Sequence, residues 1–154
     1  MEQQNIKEKK IKLNTIFDST MIEKDIKQEI SKYVSKKYKN KCFNEHGYII
    51  NIKSIDHFEC TKINYNGMLK FTIIITIEYV KPTKNEIYKG RVITLHDEAI
   101  MINVDHLFNV MIEKKYIVNQ DIQLEDIITA EILDIEFNQQ FNCIGKQIIQ
   151  SESN

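Results

Sequence analysis

Apolar residues are densest in one segment, where Ile73–Ile77 places four isoleucines and a threonine in a row. Because β-branched residues favour strands, this segment predicts a long strand over Met68–Val80 with both faces partly covered. The only proline, Pro82, follows it, and proline keeps the residue before it out of the helical region. The strand is therefore expected to end there, at a joint between two small domains, residues 1–81 and 82–154.

A helix is the main feature predicted ahead of this strand. Thr20 has capping-box spacing to Glu23, a signal typical of a helix start. Apolar residues then recur at every fourth position, at Ile22, Ile26, Ile30 and Val34. One apolar stripe at this spacing predicts an amphipathic helix from about Thr20 to Tyr38.

Three shorter segments complete the first domain. The sequence predicts a short strand at Ile11–Ile16, a second at Tyr48–Ile55 and a third at Cys60–Tyr65. In the second, alternation puts Ile50, Ile52 and Ser54 on one face. Asn66-Gly67 then predicts a hairpin into the long strand, because a type I′ turn needs positive φ at both central positions.

Beyond the joint every apolar segment is typical of a strand. The predicted strands are Ile87–Leu95, Ala99–Val104, Leu107–Ile112, Ile127–Ile135 and Ile144–Ile149. Asp121–Asp126 is a polar turn with room for a short helical piece. Five short strands with frequent turns favour a small barrel, and the OB-fold is the five-stranded case. The predicted class is α+β, a helix with an antiparallel sheet followed by a five-stranded OB-fold barrel.

Charge is unevenly distributed along the chain. Residues 1–41 hold eleven Lys and six acidic residues, a balance of +5, whereas residues 97–154 hold three Lys and eleven acidic residues, a balance of −8. The acidic half argues against strong non-specific phosphate binding, which depends on Lys and Arg. The polar N-terminus, the odd number of cysteines and the lack of a run of about 20 apolar residues predict an intracellular protein with reduced thiols and no membrane segment.

No catalytic constellation can be named from the residues. The sequence contains neither G-x-S-x-G nor a P-loop, so we expect no enzyme activity and no cofactor. Cys42-x3-His46 and His57-x2-Cys60 nevertheless have ligand types that zinc prefers. A small enzyme or zinc protein therefore stays open as an alternative.

Cations and aromatic residues mix in the second half. Lys114 and Lys115 lie in the same region of sequence as His106 and Phe108. Such a set can stack bases while its cations meet the phosphate backbone. Weak RNA contact and a plain surface loop both agree with this pattern.

The order of these features resembles the stalk subunit of multisubunit DNA-dependent RNA polymerases, the family of the seventh subunit of eukaryotic polymerase II and its archaeal E-type counterpart. That family has a Gly-Tyr-hydrophobic strand and then Pro-x-x-Gly-Glu-x-hydrophobic-x-Gly-x-Val at a domain joint. The matching residues are Gly47, Tyr48, Pro82, Glu86, Gly90 and Val92. Asn85 stands at the joint glycine, and asparagine also tolerates positive φ. The resemblance covers about residues 11–149.

The resemblance implies a non-catalytic subunit whose tip domain docks at the base of the polymerase clamp. The connection from His57 to Tyr65 is the candidate for the loop that inserts into the polymerase, and the residues assigned to docking are His57, Phe58, Cys60, Thr61, Lys62, Ile63 and Tyr65. The joint residues, which would set the angle between tip and barrel, are Pro82, Asn85, Glu86 and Gly90. The residues assigned to weak contact with nascent RNA are Lys89, Arg91, His106, Phe108, Lys114 and Lys115. The implied partners are the large polymerase subunits and a small helical stalk partner like the fourth subunit.

Composition bears on the source of the chain. Ile, Lys and Asn make up 63 of 154 residues, as an AT-rich genome would favour. Together with the departure from the family pattern, this bias favours a large cytoplasmic DNA virus as the source. A viral protein is then expected in the viral factory of the host cytoplasm and in the virion. A cellular protein of this family would be nuclear. The alternative function is a free-standing OB-fold RNA-binding factor in translation or RNA processing, which predicts basic residues across the barrel face.

Overall fold

The computed structural model describes residues 4–18, 20, 25–63, 67–119 and 121–149, with the backbone alone at 62 and 63. These residues form two compact units. The first, the helix–sheet unit, contains Ile6–Cys42 and Tyr48–Val80. The second, the barrel, contains the described residues from Lys81 onward together with Phe43–Gly47 and residues 4–5.

One helix and four strands make up the first part of the chain. In order they are β1 (Lys7–Asp18), α1 (Ile26–Tyr38), β2 (Lys41–Phe43), β3 (Gly47–Ile63) and β4 (Met68–Val80). The sheet order is β1-β4-β3-β2, and β4 runs antiparallel to both β1 and β3. The predicted helix with an antiparallel sheet is thus confirmed, as are the bounds of β4. Strands β3 and β4 are antiparallel neighbours, as the predicted hairpin requires, but Asn66 of its turn lies outside the described residues.

The core of the helix–sheet unit lies between α1 and one face of the sheet. Helix residues Ile30 and Val34 are fully buried, and so are Ile73 and Ile75 of β4. At one end, the Phe17 ring meets Tyr33 of the helix edge-on, with ring centroids 5.2 Å apart. The isoleucine density of β4 is therefore explained by its central place in the sheet.

The helix begins later than its sequence pattern predicts. Its N-cap is Asp25, whose carboxylate accepts from the Gln28 amide at 3.4 Å. The predicted start at Thr20 is wrong, because the backbone of Asp25 is extended, with φ −68° and ψ 99°, directly before the first helical residue, Ile26. Glu23, the other half of the predicted capping box, lies outside the described residues. Within those residues, no helix has the length and apolar character needed to cross a bilayer.

Strand β3 is one bulged strand where the sequence predicted two. Its register against β4 shifts four times, nearly every three residues. These bulges turn the usual alternation into a period of three, so Ile52, Ile55 and Phe58 pair with Ile77, Ile75 and Ile73. The predicted common face of Ile52 and Ser54 is wrong, since Ser54 pairs with Thr76 on the opposite face.

The remaining strands close into a five-stranded barrel. They are β5 (Ile87–Leu95), β6 (Ala99–Val104), β7 (Phe108–Glu113), β8 (Ile127–Asn138) and β9 (Gln140–Gln147). The closed order is β5-β6-β7-β9-β8, with β7 and β9 parallel and the other pairs antiparallel. The last strand begins four residues before its predicted start. Asp121–Asp126 contains no helical piece, and a short 3₁₀ turn lies at Lys114–Tyr116 instead.

Every barrel strand alternates between a buried and a more exposed face. The inward side chains include Tyr88, Val92, Ile102, Val110, Ile112 and Ile132, all fully buried. Two buried inward positions are glycine, Gly90 on β5 and Gly145 on β9. A Cβ added at Gly145 would lie 2.8 Å from the Val110 side chain and 2.9 Å from the Glu131 carbonyl oxygen. The strands therefore cross more closely there than any other residue would allow.

Candidate functional site

The predicted joint is a tight turn tied together by one carboxylate. Glu86 accepts hydrogen bonds from the Thr83 amide at 2.8 Å and from the Thr83 hydroxyl. Asn85 has φ 72°, the left-handed conformation that glycine adopts at no steric cost. Pro82 is buried, while Gly90 lies inside β5 rather than in the turn. Of the four predicted joint residues, three therefore build the turn and Gly90 serves barrel packing.

A second turn repeats this arrangement before β8. The Asp126 carboxylate accepts from the Gln123 amide at 2.9 Å, and Glu125 has φ 75°. Each turn also binds the opposite strand: Asn85 N–H donates to the Ile132 carbonyl, and Glu125 N–H to the Val92 carbonyl. Hydrogen bonds therefore fix the first turn to β8 and the second turn to β5. The paired strings Thr-Lys-Asn-Glu-Ile and Gln-Leu-Glu-Asp-Ile were the signal that sequence reasoning missed.

Asn85→Val is expected to lower the free energy of unfolding of the barrel by roughly 1–2 kcal/mol, because a β-branched residue strains at positive φ. Asn85→Gly is the matched control and should leave that free energy within about 0.5 kcal/mol of wild type. Urea unfolding followed by amide NMR of the barrel measures both. Equal stability of the two variants would contradict the positive-φ explanation.

The predicted docking residues lie on a strand and not on a connecting loop. His57, Phe58, Cys60 and Thr61 belong to β3, so the prediction of an inserted loop is wrong. His57 and Cys60 are exposed, whereas Phe58 is half-buried. The Thr61 hydroxyl donates to the Lys70 carbonyl at 3.1 Å, within the hairpin. Only the backbone is described for Lys62 and Ile63, and Tyr65 lies outside the described residues.

The predicted RNA-contact residues lie at separate places on the barrel and form no single patch. Lys89 and Arg91 are exposed on the outward face of β5, and Arg91 pairs with Glu125 at 3.4 Å. His106 is exposed in the hairpin between β6 and β7. Lys114 and Lys115 follow the far end of β7, about 20 Å from the hairpin at about 3.4 Å per residue.

Phe108 cannot stack on a base in the folded barrel. Its side chain is only 3% exposed and meets the Tyr88 ring edge-on, with centroids 5.1 Å apart. The prediction that Phe108 contacts RNA is therefore wrong. Its place in sequence between a histidine and two lysines suggested a surface aromatic, but strand alternation turns the ring inward.

Side chains of the segment before β1 hydrogen-bond the backbone at the start of β5. The Gln4 side-chain amide donates to the Lys89 carbonyl at 2.7 Å and accepts from the Lys89 amide at 2.6 Å. Asn5 donates from its side chain to the Ile87 carbonyl at 3.2 Å. Because β6 pairs with β5 only from Arg91 onward, these side chains satisfy backbone groups that no strand reaches. The sequence pattern by itself gave no signal for these contacts.

A shallow groove of about 230 Å³ crosses the outside of β6, β7, β9 and β8. Strand register aligns its side chains in two rows. The first row is Met101, Met111, Ile144 and Asp134, and the second is Asn109, Asn142 and Glu136. Asn103 pairs with Asn109 and extends the second row beyond the groove. The sequence contained no signal for this surface, because its members come from four strands spread over some 40 residues.

The titratable groups of the barrel interior, Cys143 and Tyr88, stay protonated near neutral pH. Burial raises the pKa of the Cys143 thiol to about 12 and also raises the pKa of the Tyr88 phenol. Tyr88 donates its hydroxyl hydrogen to Glu86 at 3.3 Å. Across the described part of the chain, no three His, Cys, Asp or Glu side chains gather as metal ligands would. The Cys42, His46, His57 and Cys60 set thus forms no such cluster.

Cys143 is expected to resist a thiol reagent at pH 9, where a thiol with the ordinary pKa of 9 is half ionised, while exposed Cys60 reacts. Since the folded pKa is raised above its ordinary value of 9, protonated Cys143 stabilises the fold below that pH. This contribution declines as the pH rises towards about 12. Peptide mapping by mass spectrometry locates the adducts, and rapid labelling of Cys143 in native protein would contradict its burial.

Three surfaces have been described, namely the exposed part of β3, the outward face of β5 and the groove. Among the described residues, none of them carries a recognisable reaction site. The exposed end of β3 and the outward face of β5 offer polar contacts, and the groove offers apolar ones. All three are suited to binding. No protein-family model matches the chain, and the search of curated proteins likewise found no match.

Proposed function

We propose that the chain is a non-catalytic stalk subunit of a DNA-dependent RNA polymerase. The helix–sheet unit docks on the large subunits at the base of the clamp, and the barrel is an OB-fold. The observation that carries the proposal is the barrel's strand order, β5-β6-β7-β9-β8 with β7 and β9 parallel, in a chain that places a helix–sheet unit before it.

The strand order supports the OB-fold assignment. Three consecutive strands form an antiparallel meander, and β9 then inserts between β7 and β8 to close the barrel. The OB-fold is the five-stranded Greek-key barrel that binds through its second and third strands and adjacent loops. In this chain those strands are β6 and β7.

The joint turn supports the resemblance at one residue. The polymerase stalk family has glycine at the position of Asn85, and Asn85 has the positive φ that favours glycine. Asparagine is among the residues that tolerate this conformation best. The departure from the family pattern at this position therefore leaves the backbone geometry of a glycine turn intact.

Stability arguments also favour a partner for the helix–sheet unit. A unit of fewer than about 80 residues buries only about 60% of the surface of its unfolded chain and is marginal alone. Docking to a polymerase would stabilise it by mass action. The exposed residues near the end of β3, including His57 and Cys60, are the docking surface under this proposal.

Affinity purification of the tagged chain from its source, followed by mass spectrometry, tests the proposal. We expect recovery of the two largest polymerase subunits. His57→Glu, which places a negative charge at an exposed position on β3, should lower that recovery. Lys89→Glu on the barrel is the control and should leave it unchanged. Recovery without any large polymerase subunit would overturn the proposal and favour a free-standing RNA-binding factor.

Contact with nascent RNA would rest on few cations. Lys89 and Arg91 point outward two residues apart on β5. Two phosphate contacts predict that the logarithm of the binding constant for single-stranded RNA falls with log salt at a slope of about −1.4. Lys89→Gln with Arg91→Gln should abolish the slope. A slope near about −4 would instead indicate a wide basic surface.

A further inference from the structure

The groove across β6, β7, β9 and β8 has an apolar floor. Met101 pairs with Met111, Met111 pairs with Ile144, and all three are half-buried on the outer face. Methionine is polarisable and flexible, which suits it to surfaces that adapt to a protein partner. Direct cross-strand pairing also brings these side chains within about 5.5 Å of one another at their Cβ atoms.

Carboxylates border one side of this floor. Asp134 pairs with Ile144 across the strands and continues the apolar row, and Glu136 continues the asparagine row beside it. Both side chains are exposed. Lys84 lies 3.6 Å from Asp134, and because both side chains are exposed this ion pair contributes little.

The asparagine row supplies polar groups at the same surface. Asn103 donates to Asn109 at 2.8 Å, which leaves further donor and acceptor positions on both amides. Asn142 pairs with Asn109 on the neighbouring strand and is exposed. Amide groups in a line can hydrogen-bond the backbone of an extended segment, and they carry no charge that would reject either sign of partner.

The size and charge of the groove select among occupants. Its volume of about 230 Å³ is below the range of about 300–1,000 Å³ typical of small-molecule and cofactor sites. Its lining contains no aromatic residue and no cation, so it lacks both the stacking platform and the phosphate contacts of a single-strand nucleic-acid site. A protein side chain is the occupant of the right size, and a cation is the complement to its rim.

We infer that this groove docks a protein segment in which an apolar side chain is flanked by lysine or arginine. The apolar side chain lies against Met101, Met111 and Ile144. The flanking cations meet Asp134 and Glu136, and the asparagine row bonds the segment's backbone. The inference needs only the barrel and goes beyond the proposed polymerase role, since it holds whichever large assembly the chain joins.

Methionine-methyl NMR of the full chain tests the groove directly. The probe is a synthetic peptide of alternating Lys and Leu, compared with a Glu/Leu peptide of equal length and with single-stranded oligouridine. We expect the Lys/Leu peptide to shift the Met101 and Met111 methyl signals at low salt. The Met68 signal, from the helix–sheet unit, should stay in place as an internal control.

Matched charge variants decide whether the rim acts as inferred. Asp134→Asn with Glu136→Gln should weaken binding of the Lys/Leu peptide about five-fold, since each exposed ion pair contributes only modestly. Asp97→Asn with Glu98→Gln removes the same two charges from the exposed loop between β5 and β6 and should leave the affinity unchanged.

Three results would overturn the inference. Equal affinity of the Glu/Leu and Lys/Leu peptides would remove charge complementarity. Shifts of Met101 and Met111 by oligouridine alone would identify the groove as a nucleic-acid site. No shift with any probe would mean that the groove does not dock an extended segment. Because each variant changes exposed side chains only, loss of folding does not confuse these outcomes.

Discussion

Gly145→Val is expected to lower the free energy of unfolding of the barrel by at least about 3 kcal/mol, the upper range for overpacking a closed core. A Cβ there meets the Val110 side chain at 2.8 Å and the Glu131 carbonyl oxygen at 2.9 Å. The second of these is backbone in the neighbouring strand β8, so it can move only if the strand pairing opens. For a unit of this size, the melting temperature should fall by at least about 12 °C.

Thermal unfolding followed by barrel-specific amide signals measures the effect. Lys146→Val is the matched control, because it adds valine at the next position of β9 on the outward face. It loses only the pair with Glu131 at 3.0 Å and should cost no more than about 1 kcal/mol. If the Gly145→Val and Lys146→Val barrels have the same melting temperature, the packing around Gly145 is looser than these distances indicate.

Phe108→Ala is expected to destabilise the barrel by about 3–5 kcal/mol, as is typical of removing a buried phenylalanine. The ring is 3% exposed and its main neighbour is Tyr88, which is fully buried. An RNA-stacking role would predict a different result, in which RNA affinity falls while stability is unchanged. The two outcomes separate a core residue from a recognition residue at the same position.

Urea unfolding and RNA binding of the same preparation measure both quantities. Tyr116→Ala is the control, since this aromatic residue is 36% exposed and lies against Lys115 with the cation 5.1 Å from its ring centroid. Its loss should change stability by no more than about 0.5 kcal/mol. If Phe108→Ala leaves the barrel as stable as Tyr116→Ala does, its inward position is refuted.

Local patterns were enough for much of the barrel. Ile87–Leu95 and Ala99–Val104 have the predicted bounds, because the polar residues 96–98 separate them and polar residues flank both strands. Gly67, the described half of the predicted turn before β4, also has the positive φ of 72° that its local signal requires. These features depend on residues that are close in sequence, so the pattern of a single sequence is enough to predict them.

Features that combine distant residues were not predictable in the same way. The bulges of β3 exist only against β4, so alternation along β3 alone assigned Ser54 to the wrong face. The helix start depends on which acidic or hydroxyl side chain captures an amide, and Asp25 does so where Thr20 had the better sequence signal. Several good caps in one segment compete, and only the packed helix selects among them.

The sequence by itself determined the long isoleucine strand, the presence of the helix and the number of barrel strands, because each follows from local composition or periodicity. Tertiary structure alone decided that Phe108 faces inward, that Gln4 bonds β5, and that Met101, Met111 and Ile144 share one groove. The physical reason is strand pairing. Register between distant strands sets which side chains become neighbours, and no local propensity carries that information.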